Sequence, residues 1–139
     1  MPTPALPAAA LSLFTAAAIR AIERLWAERH PDVSLMERAG AAAADLAGTL
    51  ASETGGPVLV LAGPGNNGGD ALVAARRLAG LGFRAVVVSS ADPVRLPPDA
   101  ARAWAAWREA GGAVRAELPE LHGFSLVVGA SLTIHLRSI

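Results

Sequence analysis

Five apolar residues in a row, Val58-Leu59-Val60-Leu61-Ala62, run straight into Gly63-Pro64-Gly65-Asn66-Asn67-Gly68-Gly69-Asp70, a stretch without one bulky apolar side chain. A continuous apolar run of this length reads as a strand covered on both faces, as in parallel sheets. A parallel strand needs a long crossover, and Ala71 to Leu81 has helical composition with Gly82 as its stop. The junction therefore predicts a strand, a glycine-rich turn over Gly63–Asp70 and a helix, at the carboxyl edge where open α/β sheets bind ligands. Glycines in such a turn allow positive φ and close backbone approach, and the helix start presents free N–H groups to an anion. Asn66 and Asn67 add amide donors and acceptors; Asp70 either caps the helix or aims a carboxylate into the pocket.

The rest of the chain repeats the alternation. Phe83 to Ser89 reads as a second buried strand, Asp99 to Ala110 as a helix closed by Gly111-Gly112, Ala113 to Leu118 as a weak third strand and Phe124 to Val128 as a fourth. Two helices come first. Thr15 offers an N-cap to one with apolar positions Ile19, Ile22 and Leu25/Trp26, ending before Pro31, and Ser34-Leu35-Met36-Glu37 forms a capping box for a second that runs to about Ala51. Strands alternating with helices imply right-handed crossovers and an α/β fold with a mainly parallel sheet. With 139 residues, 53% of them apolar, the chain supports one compact domain. Its expected parts are a loose arm over 1–14, which carries Pro2, Pro4 and Pro7, an α/β domain over 15–128 and a tail over 129–139.

Composition removes whole classes of function. A formal net charge of zero leaves no basic cluster for nucleic acid or an anionic membrane. The absence of Cys excludes a thiolate nucleophile and Cys-ligated metal; without Lys or Tyr there is no Schiff base, no P-loop lysine and no Tyr/Lys dehydrogenase couple. The apolar Ala5–Ala18 stretch lacks a preceding basic residue, Arg20 coming after it, so the expected location is the cytoplasm. His30, His122 and His135 lack partners at ligand spacing and read as surface or capping histidines. Trp104 and Trp107 read as a packing stripe, Arg76 and Arg77 as a solvated helix face, and Glu23, Glu28 and Glu37 as surface or capping charges. Ser89 and Ser90 have no base in any readable motif.

Gly63, Gly65 and Gly68 also satisfy G-x-G-x-x-G, with Asp92 at about the distance of a ribose contact, which is the pattern of an NAD(P)-binding half of a dehydrogenase. Against it, two helices precede the first strand. Three segments in order carry a more specific resemblance: Arg20-Ala21-Ile22-Glu23, Leu35-Met36-Glu37-Arg38-Ala39-Gly40, and Gly63 to Asp70 followed by Ala71-Leu72-Val73-Ala74-Ala75-Arg76. Together they resemble the N-terminal domain of YjeF-type proteins, whose enzymatic members are NAD(P)H-hydrate epimerases. The resemblance implies a three-layer αβα Rossmann-like fold and interconversion of the R and S epimers of hydrated NADH and NADPH. It also implies a substrate segment of Asn66, Asn67, Gly68, Gly69 and Asp70, with Asp70 the candidate catalytic group. Asn67 matches a potassium ligand, so K+ is the implied cofactor; a homodimer and an NAD(P)HX dehydratase are the implied partners. A non-catalytic nucleotide-binding or protein-interaction module on the same domain is the alternative.

The match breaks after the fourth strand. Where the family reads Asp-(Ala/Gly)-Leu-Phe-Gly-x-Gly, this chain has Gly129-Ala130-Ser131-Leu132-Thr133-Ile134-His135. The acid, similar to a cation ligand, and both loop glycines are missing, and the family's later Asp-x-Pro-Ser-Gly segment is absent. The expectation is a sheet incomplete at the C-terminus and an isolated chain with impaired activity.

Overall fold

The computed structural model describes residues 13–130. The chain divides into two compact units, Met1–Ser34 and Leu35–Ile139. Residues 1–12 of the expected arm over 1–14, and residues 131–139 of the expected tail over 129–139, His135 among them, lie outside the described residues.

The first unit is built on helix α1, Ala16–Arg29. Thr15 caps it as its hydroxyl chemistry predicts, accepting from the Ala18 N–H at 3.2 Å. At the other end the His30 ring stacks on Trp26 with centroids 4.4 Å apart, and its Nδ1 lies 2.9 Å from the Trp26 carbonyl oxygen. This is the capping role expected of His30. No residue of α1 is buried, and Ile19, Ile22 and Leu25 are about half exposed.

The second unit runs α2 (Leu35–Ser52), β1 (Val58–Ala62), α3 (Asn66–Gly80), β2 (Ala85–Val88), a 3-10 turn (Pro93–Arg95), α4 (Pro98–Glu109), β3 (Val114–Arg115) and β4 (Leu126–Ala130). The four strands pair in the order β3-β2-β1-β4, all parallel. Each of the four predicted strands is present, and β4 continues to Ala130, through the first two residues of the sequence that departs from the family pattern. Helix α3 carries the crossover from β1 to β2, and α4 the one from β2 to β3. The α/β Rossmann-like arrangement expected from the alternation is the arrangement found.

One continuous core forms between α2, α3 and α4 and the sheet positions Val58, Val60, Ala62 and Val87. Helix α2 approaches closely because its inward face, Gly40, Ala44, Ala47, Gly48 and Ala51, holds only small residues at helical spacing. Leu72 and Leu78 of α3 are fully buried, each stabilising by about 2 kcal/mol. Trp107 is buried and its Nε1–H donates to the Ala113 carbonyl at 3.0 Å, while Trp104 packs against the same cluster, so the aromatic pair is a packing stripe. Gly82, at φ +91°, ends α3 as predicted: its N–H donates to Ala79 O, and the Phe83 N–H to Leu78 O. No described helix is long and apolar enough to cross a membrane.

Candidate functional site

Strand registers fix the position of the glycine-rich segment. Gly129, Leu61, Val88 and Arg115 form one row across β4, β1, β2 and β3 at the carboxyl edge. From β1 the chain moves through β2 to β3 on one side, then returns to β4 on the other, so the topology reverses at β1. The segment after β1 therefore leaves the sheet at the switch point, where ligands of open α/β sheets bind.

Its conformation departs from the expected loop. Helix α3 begins at Asn66, so the turn is only Gly63-Pro64-Gly65, and Asn66 to Asp70 form the helix start. Two Asn and two Gly are poor helix formers in isolation; packing overrides that propensity here. A Cβ on Gly68 would fall on the Gly63 backbone, and one on Gly69 would lie 2.6 Å from Met36 Sδ and 3.0 Å from Ala100 Cα. The glycines thus serve close approach. None of Gly63, Gly65, Gly68 or Gly69 has positive φ, so of the two freedoms that glycine allows this segment uses close approach alone.

Asp70 also lies elsewhere than a cap. The N-cap is Gly65, extended at φ −107° and ψ −168°, with no side-chain cap bond, and Asp70 sits one turn further in, half-buried. Near the cap, the Gly69 N–H reaches Gly65 O at 3.3 Å. The N–H groups of Asn66, Asn67 and Gly68 precede any intrahelical acceptor, leaving three donors at the positive end of a 15-residue helix. Asn66 and Asn67 are exposed, and neither amide makes a hydrogen bond among the described residues. The geometry is an anion cradle with two uncommitted amides at its rim.

The motif Leu35 to Gly40 supports this cradle from α2. Met36 packs against Gly69, and Gly40 sits where a Cβ would meet the Val73 side chain and lie 2.9 Å from the Asp70 carbonyl. Glu37 accepts from Arg76 Nη2 at 2.6 and 2.8 Å and from Arg77 Nη2 at 3.2 Å. The Arg76 side chain, 29% exposed, is thus an ion-pair partner and not the solvated helix charge its spacing suggested. Spacing on α3 alone could not reveal a partner 39 residues away. A cleft of about 480 Å³ lies at the far end of α3, lined by Ala41, Asp45, Arg76, Arg77, Gly80 and Leu81, away from the glycine cradle. Asp92, the ribose candidate, instead caps the 3-10 turn by accepting from the Val94 N–H at 3.1 Å.

The family described as YjeF-related protein N-terminus matches residues 32–138. The chain belongs to this family. It is 51% identical over 118 residues to a NAD(P)H-hydrate epimerase of Bordetella pertussis, covering 85% of this chain and 50% of that one. It is 41% identical over 135 residues to a bifunctional NAD(P)H-hydrate repair enzyme Nnr of Salinibacter ruber, covering 90% of this chain and 24% of the relative. The crystal structure of yeast ynu0, YNL200c, superposes with a TM-score of 0.59 at 24% identity, over 76% of this chain and 47% of the yeast chain, and shows the shared fold. The chain spans about half the length of the Bordetella epimerases it matches. As a member of the YjeF N-terminal family it carries the Leu35–Gly40 and Gly63–Asp70 motifs in direct contact through Met36 and Gly69.

Proposed function

We propose that this chain is an NAD(P)H-hydrate epimerase-type domain, acting in nicotinamide nucleotide repair on the R and S forms of hydrated NADH and NADPH. The observation that carries the reading is the cradle: the first N–H groups of α3, which have no intrahelical acceptor, and the amides of Asn66 and Asn67, without hydrogen-bond partners among the described residues, at the switch point of the sheet. Such a site suits a pyrophosphate. The names of the relatives supply the reaction.

In this reading Asn66, Asn67, Gly68, Gly69 and Asp70 bind the substrate. Inversion at a carbinolamine carbon proceeds either by loss of its hydroxyl as water after protonation and return of water to the opposite face with loss of a proton, or by opening and reclosing of the ring, and neither route changes the oxidation state. Asp70 is the carboxyl group of the segment and the candidate for that proton transfer. Asn67 offers an amide oxygen near the carbonyls of the turn, hard donors of the kind K+ takes, and the cation would offset the charge of the pyrophosphate. A homodimer fits the exposed apolar stripe of α1, Ile19, Ile22 and Leu25. An NAD(P)HX dehydratase is the partner that would consume the epimer formed, in keeping with the bifunctional name of the Salinibacter ruber relative.

The resemblance places an acid at the position of Gly129, near the end of β4, so we expect turnover below that of an epimerase carrying it. A Cβ on Gly129 meets nothing within 4 Å, which leaves room to install one. The test is equilibration of resolved epimers of hydrated NADPH by the purified chain, followed by chromatography. The expected result is a rate above the spontaneous one, raised further in Gly129→Asp. Equilibration at the spontaneous rate by both proteins would overturn the reading.

A further inference from the structure

The order β3-β2-β1-β4 puts the end of β2 beside the glycine cradle. In dinucleotide sites of this order the pyrophosphate lies on the helix after the first strand and the adenosine ribose at the end of the second. An acid there takes the ribose 2′-OH, whereas an arginine accommodates a 2′-phosphate. In this chain the acid that follows β2, Asp92, is bound to the Val94 N–H.

Two arginines stand at or beyond the carboxyl ends of the neighbouring strands β3 and β2. Arg95 ends the 3-10 turn that follows β2, and Arg115 ends β3 in register with Val88 of β2. Both are exposed, and neither forms an ion pair among the described residues. The other described arginines of this unit are committed or distant: Arg38 on α2 has a partner, Arg76 and Arg77 bind Glu37, Arg102 binds Asp99, Arg108 donates to the Gly112 carbonyl, and Arg84 precedes β2 at the opposite edge. The exposed Ser90 hydroxyl, with no hydrogen bond among the described residues, adds a donor just after β2. Guanidinium groups match phosphate oxygens in bidentate geometry.

We propose that Arg95 and Arg115 hold the 2′-phosphate of the substrate, so that the site selects the 2′-phosphorylated nucleotide, hydrated NADPH, over hydrated NADH. The inference rests on the nucleotide reading given above. Its test is calorimetric titration of the full chain with 2′,5′-ADP and with 5′-ADP, which differ only in that phosphate. The expected result is binding of 2′,5′-ADP at least tenfold tighter. The Arg95→Ala/Arg115→Ala double variant, altered only at exposed side chains, should lose that preference while keeping its affinity for 5′-ADP and its unfolding temperature. Equal affinity for the two probes, or a double variant that keeps the tenfold preference, would overturn this inference and leave the nucleotide reading standing. Failure of both probes to bind would overturn the two together.

Discussion

Two connections leave the carboxyl edge of the sheet side by side, and they are held in opposite ways. The segment after β2 satisfies itself: Ser89 Oγ accepts from the Ala91 N–H at 3.2 Å and Asp92 from the Val94 N–H at 3.1 Å. The segment after β1 has no side-chain cap at Gly65, and its asparagine amides have no hydrogen-bond partner among the described residues. It is held from outside, by helix packing that only missing side chains permit, with Met36 against Gly69 and the Gly63 backbone against Gly68. A connection built this way keeps its polar groups for a ligand. One whose own side chains bind its backbone has fewer to offer, and what it presents outward is the exposed Arg95.

If packing holds the β1 connection, the largest effect of any single substitution should come from adding one carbon to it. Gly68→Ala places that carbon on backbone that cannot swing aside, so the expected cost is about 3 kcal/mol or more, read as a lowered unfolding midpoint. Gly69→Ala should cost less, because Met36 is flexible and alanine gains about 1 kcal/mol of helix propensity over glycine. Equal midpoints for Gly68→Ala and the unaltered chain would mean that the turn is not held by packing at all.

Asn67→Ala probes the other half of the comparison. The side chain is exposed and contacts nothing by hydrogen bond, so stability should change by less than about 0.5 kcal/mol. Loss of a ligand contact should nevertheless weaken binding of hydrated NADPH roughly tenfold, about 1.4 kcal/mol, in the same calorimetric experiment. A stability loss matching the binding loss would assign Asn67 to the scaffold.

The sequence made the strands legible because their apolar runs have no competing reading: β1 begins and ends at the predicted residues, Val58 and Ala62. The stop at Gly82 was equally plain, since its left-handed conformation suits glycine. Less legible was the start of α3. Asn66-Asn67-Gly68-Gly69 has the composition of a loop, and only contacts with Met36, Ala100 and Gly63, supplied by distant or backbone atoms, make it helical. The same limit hid the Glu37–Arg76 pair. A capping motif and a helix charge each have a complete local explanation, and nothing local says that they meet.

That pair ties α2 to the helix that carries the cradle. With both carboxylate oxygens bound and both side chains partly shielded, a double-mutant cycle of Glu37→Ala and Arg76→Ala should give a coupling of about 1 kcal/mol by denaturant titration. Coupling near zero would leave Met36 and Gly40 as the contacts that fix α3 against α2.

The smallest expected effect belongs to the connection that holds itself. Asp92→Ala removes the acceptor for the Val94 N–H and with it the cap of a three-residue turn, at a cost of about 0.5–1 kcal/mol. Because Asp92 is exposed and the turn adds nothing to the buried core, the loss should stay local. Hydrogen exchange at the Val94 amide should quicken while exchange in α3 stays as it was, and affinity for 5′-ADP should be unchanged. Faster exchange at Gly68 and Gly69 would show that the two connections share their support, and the contrast between internal and external holding would then fail.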